Sequence, residues 1–288
     1  MKNLEFSDFG KKLSGESGIL QLMDDLGKPL PKGIPSYQLG GGNPAQIPEI
    51  EKMYRNRMEK IISNSDEFEQ LIGRYDAPQG KISFIESVAE FLSNKFGWKI
   101  GPENVGITNG SQSAFFYLFN LFSGTFSNSN KKKTIVLPLV PEYIGYADQG
   151  LEADTFVGIP ATFTMSNDHT FKYNVDFEKL ENYLEKHDNV GALCVSRPTN
   201  PTGNVLTNEE ISRLSILAKK YDIPLMVDNA YGLPWPDIIF DDNAIPYWDE
   251  NVILSMSLSK IGLPSLRTGI IIAEKRVITA LSNLNAIV

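Results

Sequence analysis

Short runs of apolar residues, rich in β-branched side chains, recur along the chain from residue 105 onward, and stretches with helical spacing separate many of them. These runs predict strands at 105–108, 134–139, 155–160, 191–196, 224–229, 252–257 and 268–273. Apolar residues in 81–97, 176–188 and 207–221 follow the period of an amphipathic helix, and Thr207 with Glu210 forms a capping box for the last of these. Strands alternating with helices predict an α/β fold with a mainly parallel, seven-stranded sheet between helices.

The first fifty residues have a different character. They are rich in Gly and Pro and end in 39-LGGGNPAQIPEI-50, a composition that favours turns over regular elements. We therefore expect residues 1–50 to form an N-terminal arm, and residues 51–288 to form one large domain.

Composition excludes several classes of protein. A net charge of −8 and a pI near 5.0 do not fit nucleic-acid binding, which needs a basic surface. The single cysteine, Cys194, excludes an internal disulfide, and His169 and His187 stand too far apart in sequence to indicate a metal site. No apolar run approaches the roughly 20 residues that span a bilayer. We expect a cytoplasmic protein without a metal and without membrane contact.

In a parallel sheet, ligands bind at the carboxyl ends of the strands, so the residues after each predicted strand are the candidates for chemistry. The first predicted strand leads into 109-NGSQSAFFYLFN-120, where Gly110, Ser111 and Gln112 form either a phosphate-binding helix start or an ordinary N-cap. The strand at 191–196 leads into 197-RPTNPTGNV-205, where Asn200 either presents an amide to a ligand or stabilises a proline turn.

Two further strand ends carry charged side chains. Asp228 in 228-DNAYG-232 ends a buried strand and faces a cation or a site, unless it is a structural cap; Tyr231 follows it. Lys260 follows Ser257 in 257-SLSKIGLPSLRTG-269, and Arg267 comes seven residues later; alone, Lys260 fits a surface lysine equally well. Together, these strand ends supply the parts of a pyridoxal 5′-phosphate (PLP) site: a lysine, an acid and phosphate donors.

The motifs NGSQ, PEYIGY, RPTNPTG, DNAYG, SLSK and LRTG occur in an order that resembles the fold-type I aminotransferases, the aspartate aminotransferase superfamily, over residues 35–275. The resemblance implies PLP as cofactor and a homodimer. It also implies that 1–50 contributes to a small domain and that 51–288 is the PLP-binding large domain. Family members continue past the position of Val288. We therefore expect most of the C-terminal small domain, with the arginine for the substrate carboxylate, to be missing here.

The resemblance also implies residue roles. Lys260 binds PLP as a Schiff base and moves the Cα proton, Asp228 pairs with the pyridine nitrogen, and Tyr143 stacks on the ring. Tyr231 and Asn200 hydrogen-bond the phenolic oxygen. The implied phosphate ligands are Gly110, Ser111, Gln112, Ser257 and Arg267, with Tyr75 from the partner subunit, and the implied substrate contacts are Gly41, Gly42 and Asn200.

The segments GGGNPAQIP, RYDAPQG, PLVPEYIGYAD and DNAYGLPWP are similar to family members that act on valine and pyruvate. We therefore expect a transaminase that moves an amino group from valine, or a similar apolar amino acid, to pyruvate, giving alanine and 3-methyl-2-oxobutanoate. A C–S lyase, or a transaminase of other specificity, would use the same cofactor residues. A non-catalytic PLP-binding regulatory module is the alternative from another class, but such modules carry a basic DNA-binding domain for which residues 1–35 are too short.

Overall fold

The computed structural model describes residues 4–28, 32–33, 35, 43–166, 168–239, 241 and 243–288. The helices are α1 (Asp8–Leu13), α2 (Gly18–Gly27), α3 (Pro48–Ser63), α4 (Ser65–Gly73), α5 (Ile82–Phe96), α6 (Ser111–Phe122), α7 (Phe177–Lys186), α8 (Asn208–Lys220) and α9 (Lys275–Asn285). The strands are β1 (Val105–Asn109), β2 (Gly124–Phe126), β3 (Lys131–Val140), β4 (Phe156–Pro160), β5 (Thr162–Met165), β6 (Phe171–Asn174), β7 (Val190–Ser196), β8 (Leu225–Asp228), β9 (Val252–Ser257) and β10 (Thr268–Ile272).

One sheet contains all seven predicted strands. Its order is β1-β10-β9-β8-β7-β3-β2, and β4 also pairs with β3. Strands β4, β3, β7, β8 and β9 pair in parallel, whereas β10 runs antiparallel to both of its neighbours. The mainly parallel α/β sheet is therefore confirmed. The eighth strand, β2, is only three residues long and pairs antiparallel with β3. A segment this short carries no recognisable alternation.

The core lies on both faces of this sheet, as the alternation of side chains along a strand requires. Every residue of the central strand β7 is buried. Leu193 and Val195 pack on the side of α5, α7 and α8, while Ala192 and Cys194 pack on the side of α6 and α9. Because β8 pairs in register with β7, Asp228 lies on the same side as Cys194 and α6.

The predicted helices form at α5, α7 and α8, and the capping box of α8 is present. Thr207 Oγ1 accepts the Glu210 N–H at 3.1 Å, and Glu210 Oε2 accepts the Thr207 N–H at 2.8 Å. The part of the chain before α5 is more helical than expected. Helices α1 and α2 and the start of α3 lie within residues 1–50, where only an arm was predicted. The rest of α3 and all of α4 lie where no helix or strand was predicted. None of the residues in these four helices is buried.

The hairpin β5–β6 and the helix α9 are also additions to the prediction. In the described ranges, no helix combines the length and apolar character needed to cross a membrane. The same described ranges contain no cluster of three or more His, Cys, Asp or Glu side chains arranged to hold a metal ion.

Candidate active site

Three polar side chains lie in one row across the carboxyl ends of β7, β8 and β9. Ser196 is paired in register with Asp228, and Asp228 with Ser255, and all three residues are buried. Partners in register point to the same face of a sheet, so this row faces α6. A polar row at this edge of an apolar sheet is costly unless the groups are paired. Ser196 and Asp228 are hydrogen-bonded within the chain, whereas the Ser255 hydroxyl has no partner among the described residues, so the row is a candidate place for a polar ligand.

Asp228 is the acid in this row, and two donors from the chain reach its carboxyl group. Tyr146 donates its hydroxyl to Oδ2 at 2.8 Å, and the Ala230 N–H donates to Oδ1 at 3.0 Å. Burial raises the pKa of Asp228, while these hydrogen bonds and the charge of Lys260 oppose the rise. A buried carboxyl group with this balance is suited to a cationic ligand atom.

Lys260 lies in the single helical turn Ser259–Ile261, directly after β9. Its Nζ is 5.1 Å from the centroid of the Tyr231 ring, a cation–π distance. The hydroxyl of Ser257 accepts the Ser259 N–H at 3.1 Å and closes the start of the turn. At its other end, Tyr54 of α3 donates its hydroxyl to the Ile261 carbonyl at 2.7 Å. The turn is thus held from both sides, with the lysine near Tyr231 and Asp228.

Arg267 lies against the N-terminus of α6. Gly110, the N-cap, has φ of 87°, and a Cβ there would come within 2.5 Å of Nη2 of Arg267. A Cβ on Gly269 would come within 2.6 Å of the Ser111 nitrogen, so two glycines make this close approach possible. Free N–H groups at a helix start and a planar guanidinium both bind phosphate oxygens. This arrangement, Gly110, Ser111 and Arg267, is here called the anion cradle.

Tyr143 and Gln112 flank the cradle. The Tyr143 ring covers Gly145, where a Cβ would come within 2.3 Å of the ring, and it meets the Tyr146 ring edge-on at 5.4 Å between centroids. Burial raises the pKa of the Tyr143 hydroxyl, and the nearby charge of Asp228 raises it further. The Gln112 side-chain amide donates to the Gly145 carbonyl at 3.0 Å, so it already forms a hydrogen bond within the chain. Its predicted contribution to phosphate binding stays a prediction.

Asn200 is half-buried in the turn that follows β7. The buried Arg197 holds this turn with three hydrogen bonds, to the carbonyls of Leu206 and Ile245 and to the side-chain oxygen of Asn208, at 2.7–2.8 Å. The sequence motif drew attention to Asn200, whereas Arg197 was missed because a surface arginine is the usual expectation. The structure therefore explains why the turn is rigid, and the role of Asn200 stays a prediction.

The structure does not test three of the predicted residues. Tyr75 is fully exposed in this chain, and its predicted contribution to the phosphate site of a partner subunit stays a prediction. Gly41 and Gly42 lie outside the residues that the structure describes, so their predicted substrate contacts stay predictions.

Sequence reasoning missed two residues of the PEYIGY motif that contribute to the site. Tyr146 is the hydroxyl donor to Asp228, and Glu142 accepts hydrogen bonds from the Ser196 N–H at 2.8 Å and the Ser196 hydroxyl at 2.5 Å. Burial of its carboxyl group raises the pKa of Glu142 to about 7, although the Ser196 and Tyr143 donors oppose the rise. The available indication was the position of Glu142, three residues after the predicted strand 134–139.

Comparison with known proteins identifies the family. The sequence model described as "Aminotransferase class I and II" matches residues 53–288. The chain is 48% identical, over 99% of its length, to valine–pyruvate aminotransferase from Escherichia coli K12, of which it spans 66%.

Two solved structures are similar over most of this chain. A putative amino-acid aminotransferase from Psychrobacter arcticum 273-4 has a TM-score of 0.91 and 47% identity, covering 99% of this chain and 68% of that one. Valine–pyruvate aminotransferase from Salmonella typhimurium LT2 has a TM-score of 0.79 and 47% identity, covering 94% and 64%. The chain thus spans about two thirds of the length of these relatives.

The class I and II aminotransferases depend on PLP, and the residues of this chain fit that cofactor. The anion cradle fits a phosphate, because a side chain at Gly110 would fill it. Asp228 is buried and fits a protonated ring nitrogen, while Lys260, near both Tyr231 and Asp228, fits a carbonyl carbon. The match over residues 53–288 shows that this chain belongs to the class I and II aminotransferases.

Proposed function

We propose that the protein containing this chain is a transaminase that moves an amino group from valine, or a similar apolar amino acid, to pyruvate. The products are 3-methyl-2-oxobutanoate and alanine. The observation that carries the proposal is the convergence of Lys260, Asp228 and the anion cradle at one end of the sheet. The 48% identity to a valine–pyruvate aminotransferase supports the choice of substrates.

In this proposal, bound PLP supplies an electron sink for the electrons of the substrate Cα–H bond. Lys260 would hold the cofactor covalently at rest. Once the substrate amine takes over that bond, the freed Nζ would take the Cα proton and return it. Asp228, with its hydrogen bond from Tyr146, keeps the ring nitrogen protonated. Arg267 and the free N–H groups of α6 bind the phosphate. Each of these steps uses a group that the fold holds at the carboxyl edge of the sheet.

Other predicted residues orient the cofactor and the substrate. Tyr143 would cover one face of the cofactor ring, and Tyr231 and Asn200 would hydrogen-bond its phenolic oxygen. Ser257 adds a hydroxyl to the phosphate site, and Asn200 contacts the substrate. The segment 231-YGLPWP-236 carries no lysine or arginine, which supports an apolar amino acid rather than a dicarboxylic one.

We also propose a cytoplasmic homodimer in which Tyr75 completes the phosphate site of the partner subunit. Exposed apolar side chains on α3 and α4, close in sequence to Tyr75, support the dimer. The single, buried Cys194 is typical of proteins from a reducing compartment, which supports the cytoplasm.

Borohydride reduction of the PLP-loaded protein, followed by peptide mapping, tests the cofactor site. We expect the label on Lys260, and its loss in Lys260→Ala. The matched control Lys275→Ala removes an exposed lysine of α9 and keeps the label. A label on Lys219 or Lys220 in place of Lys260 contradicts the proposed site.

A panel of amino donors, assayed with pyruvate as acceptor, tests the substrates. We expect valine and similar apolar amino acids to be preferred. A small uncharged pocket accepts both valine and alanine, because a few methylene groups are worth only about 1–3 kcal/mol of discrimination. A preference of more than about tenfold for aspartate or an aromatic donor rules out the valine assignment. Production of ammonia without any oxo acid acceptor would identify a lyase instead.

A further inference from the structure

Glu142 brings a second carboxyl group to the edge of the sheet, outside the roles described above. It follows β3 by two residues, and its side chain turns toward the end of β7. Oε1 accepts the Ser196 N–H at 2.8 Å, and Oε2 accepts the Ser196 hydroxyl at 2.5 Å and the Tyr143 N–H at 3.1 Å. Within the described ranges of the chain, no lysine or arginine forms a salt bridge with it. Three donors and no cation therefore hold this carboxyl group.

The position of Glu142 couples it to the site. Ser196, the main hydrogen-bond partner of Glu142, is paired in register with Asp228 on the neighbouring strand. Ser196 therefore links the two residues that carry the carboxyl groups. The negative charge of Asp228 disfavours a charge on Glu142. The other ionisable groups around the pair are Tyr143, Tyr146, Cys194 and Tyr231, and the cations that reach this cluster are Lys260 and Arg267.

We propose that Glu142 is a positioning residue that acts through Ser196 and Asp228 and sets the pH at which the Lys260–PLP linkage releases its proton. This inference rests on the cofactor site proposed above. A negative charge on Glu142 makes the potential around Asp228 more negative and so helps Lys260 to retain its proton.

The charge of Glu142 changes in a useful range. Burial of its carboxyl group raises the pKa of Glu142 to about 7, so the group passes from neutral to charged near neutral pH. Above that pH the added charge opposes release of a proton from the nearby lysine. Glu142 therefore extends to higher pH the range in which the Lys260–PLP linkage is protonated.

The test is a pH titration of the visible absorbance of the PLP-loaded protein, comparing wild type with Glu142→Gln. Glutamine keeps the shape and removes the charge. We expect the titration midpoint to fall by about half a pH unit or more. The control Glu185→Gln removes one negative charge from an exposed position on α7 and leaves the midpoint in place.

Ser196→Ala provides a second variant should Glu142→Gln fail to fold. Without the serine hydroxyl, the charged form of Glu142 loses its shortest hydrogen bond and forms only at higher pH. The midpoint then moves in the same direction by a smaller amount. Both variants thus test one property, the charge at position 142.

The outcomes separate this inference from the proposed function. A bound-PLP band in wild type, with unchanged midpoints in Glu142→Gln and Ser196→Ala, overturns the inference alone. An equal shift in Glu185→Gln also overturns it, because any lost charge would then suffice. The absence of a PLP band and of a Lys260 label in wild type overturns both this inference and the proposed function.

Discussion

At the scale of single residues, the site contains buried acids whose surroundings disfavour the charged form of the carboxyl group. Asp228 is buried, and the hydrogen bonds from Tyr146 and Ala230 together with the charge of Lys260 only partly compensate for lost hydration. A further cation at this carboxyl group would stabilise its charged form. We infer that the protein keeps Asp228 in this state for the cofactor, because a purely structural acid is better placed where water reaches it.

Replacing Asp228 by Asn tests this role. We expect most PLP binding to remain, because phosphate contacts are untouched, and turnover to fall by about two orders of magnitude or more as the ring nitrogen loses its anionic partner. Absorbance titration and steady-state assays measure the two effects. The control Asp249→Asn alters an acid bonded to Ser215 and Lys219 away from the site, so it lowers stability but not turnover per bound PLP. Turnover of Asp228→Asn within about tenfold of wild type would contradict the role.

Glu142 makes the stability of the folded chain depend on pH. The folded protein holds a proton on Glu142 up to pH about 7, whereas the unfolded chain releases it near the ordinary value of 4.5. Between these values the folded state binds more protons, so the free energy of unfolding falls as pH rises and the loss is complete above about 7. Glu142→Gln removes this dependence, worth at most about 3 kcal/mol.

Urea unfolding of the cofactor-free protein at pH 4.5 and pH 7.5 measures the difference. We expect wild type to lose stability relative to Glu142→Gln between the two pH values, while Glu185→Gln follows wild type. Equal changes in wild type and Glu142→Gln would refute the assigned shift.

At the scale of elements, the start of α6 places a strict requirement on the sequence. Only a residue without a side chain fits position 110, because φ is 87° and Arg267 fills the space. The helix therefore offers its first N–H groups next to a guanidinium. An anion bound there meets two sources of positive potential.

Gly110→Ala should weaken PLP binding by about tenfold or more, since the new methyl group displaces Arg267 from the helix start. Gly97→Ala is the matched control: φ is 68° there, but no atom lies within 4 Å of the added Cβ. The backbone strain is about 1 kcal/mol at Gly97 and larger at Gly110, where φ of 87° and ψ of 156° lie in a region that only glycine commonly adopts. Only Gly110→Ala also disturbs the anion cradle. PLP titration followed by absorbance measures the affinity, and equal affinities of the two variants would contradict the cradle.

At the scale of the whole molecule, α3 and α4 present apolar side chains to solvent. The exposed residues include Met53, Met58, Ile62, Phe68 and Ile72. An apolar surface of this kind is typical of an interface. A second copy of the chain is the partner we propose, because the adjoining Tyr75 would then meet a phosphate site.

Ile72→Asp should weaken self-association by at least about tenfold, because dimer formation would bury an unpaired charge. Ile216→Asp is the control: Ile216, on α8, is 64% exposed and Ile72 is 66% exposed, so the two changes differ mainly in location. Sedimentation velocity over a range of concentrations measures the effect. A wild-type monomer that binds PLP fully, or equal effects of both variants, would rule out this interface.

The sequence by itself determined the alternation of strands and helices and the types of residue at the strand ends. Apolar periodicity, capping residues and turn residues act over a few positions, so they are readable without the fold. For that reason all seven predicted strands are present, and Lys260, Asp228 and Arg267 could be selected before any geometry was known. Helices α3 and α4 were not predicted, because neither buries a residue in the core.

Only the tertiary structure decided which side chains meet. Tyr146 and Asp228 are 82 positions apart, and Glu142 and Ser196 are 54 apart, and both contacts depend on how β3, β7 and β8 align. No local pattern encodes such a register, because it results from packing the whole sheet between two layers of helices. The reversed direction of β10, which brings Arg267 back to the start of α6, is decided in the same way.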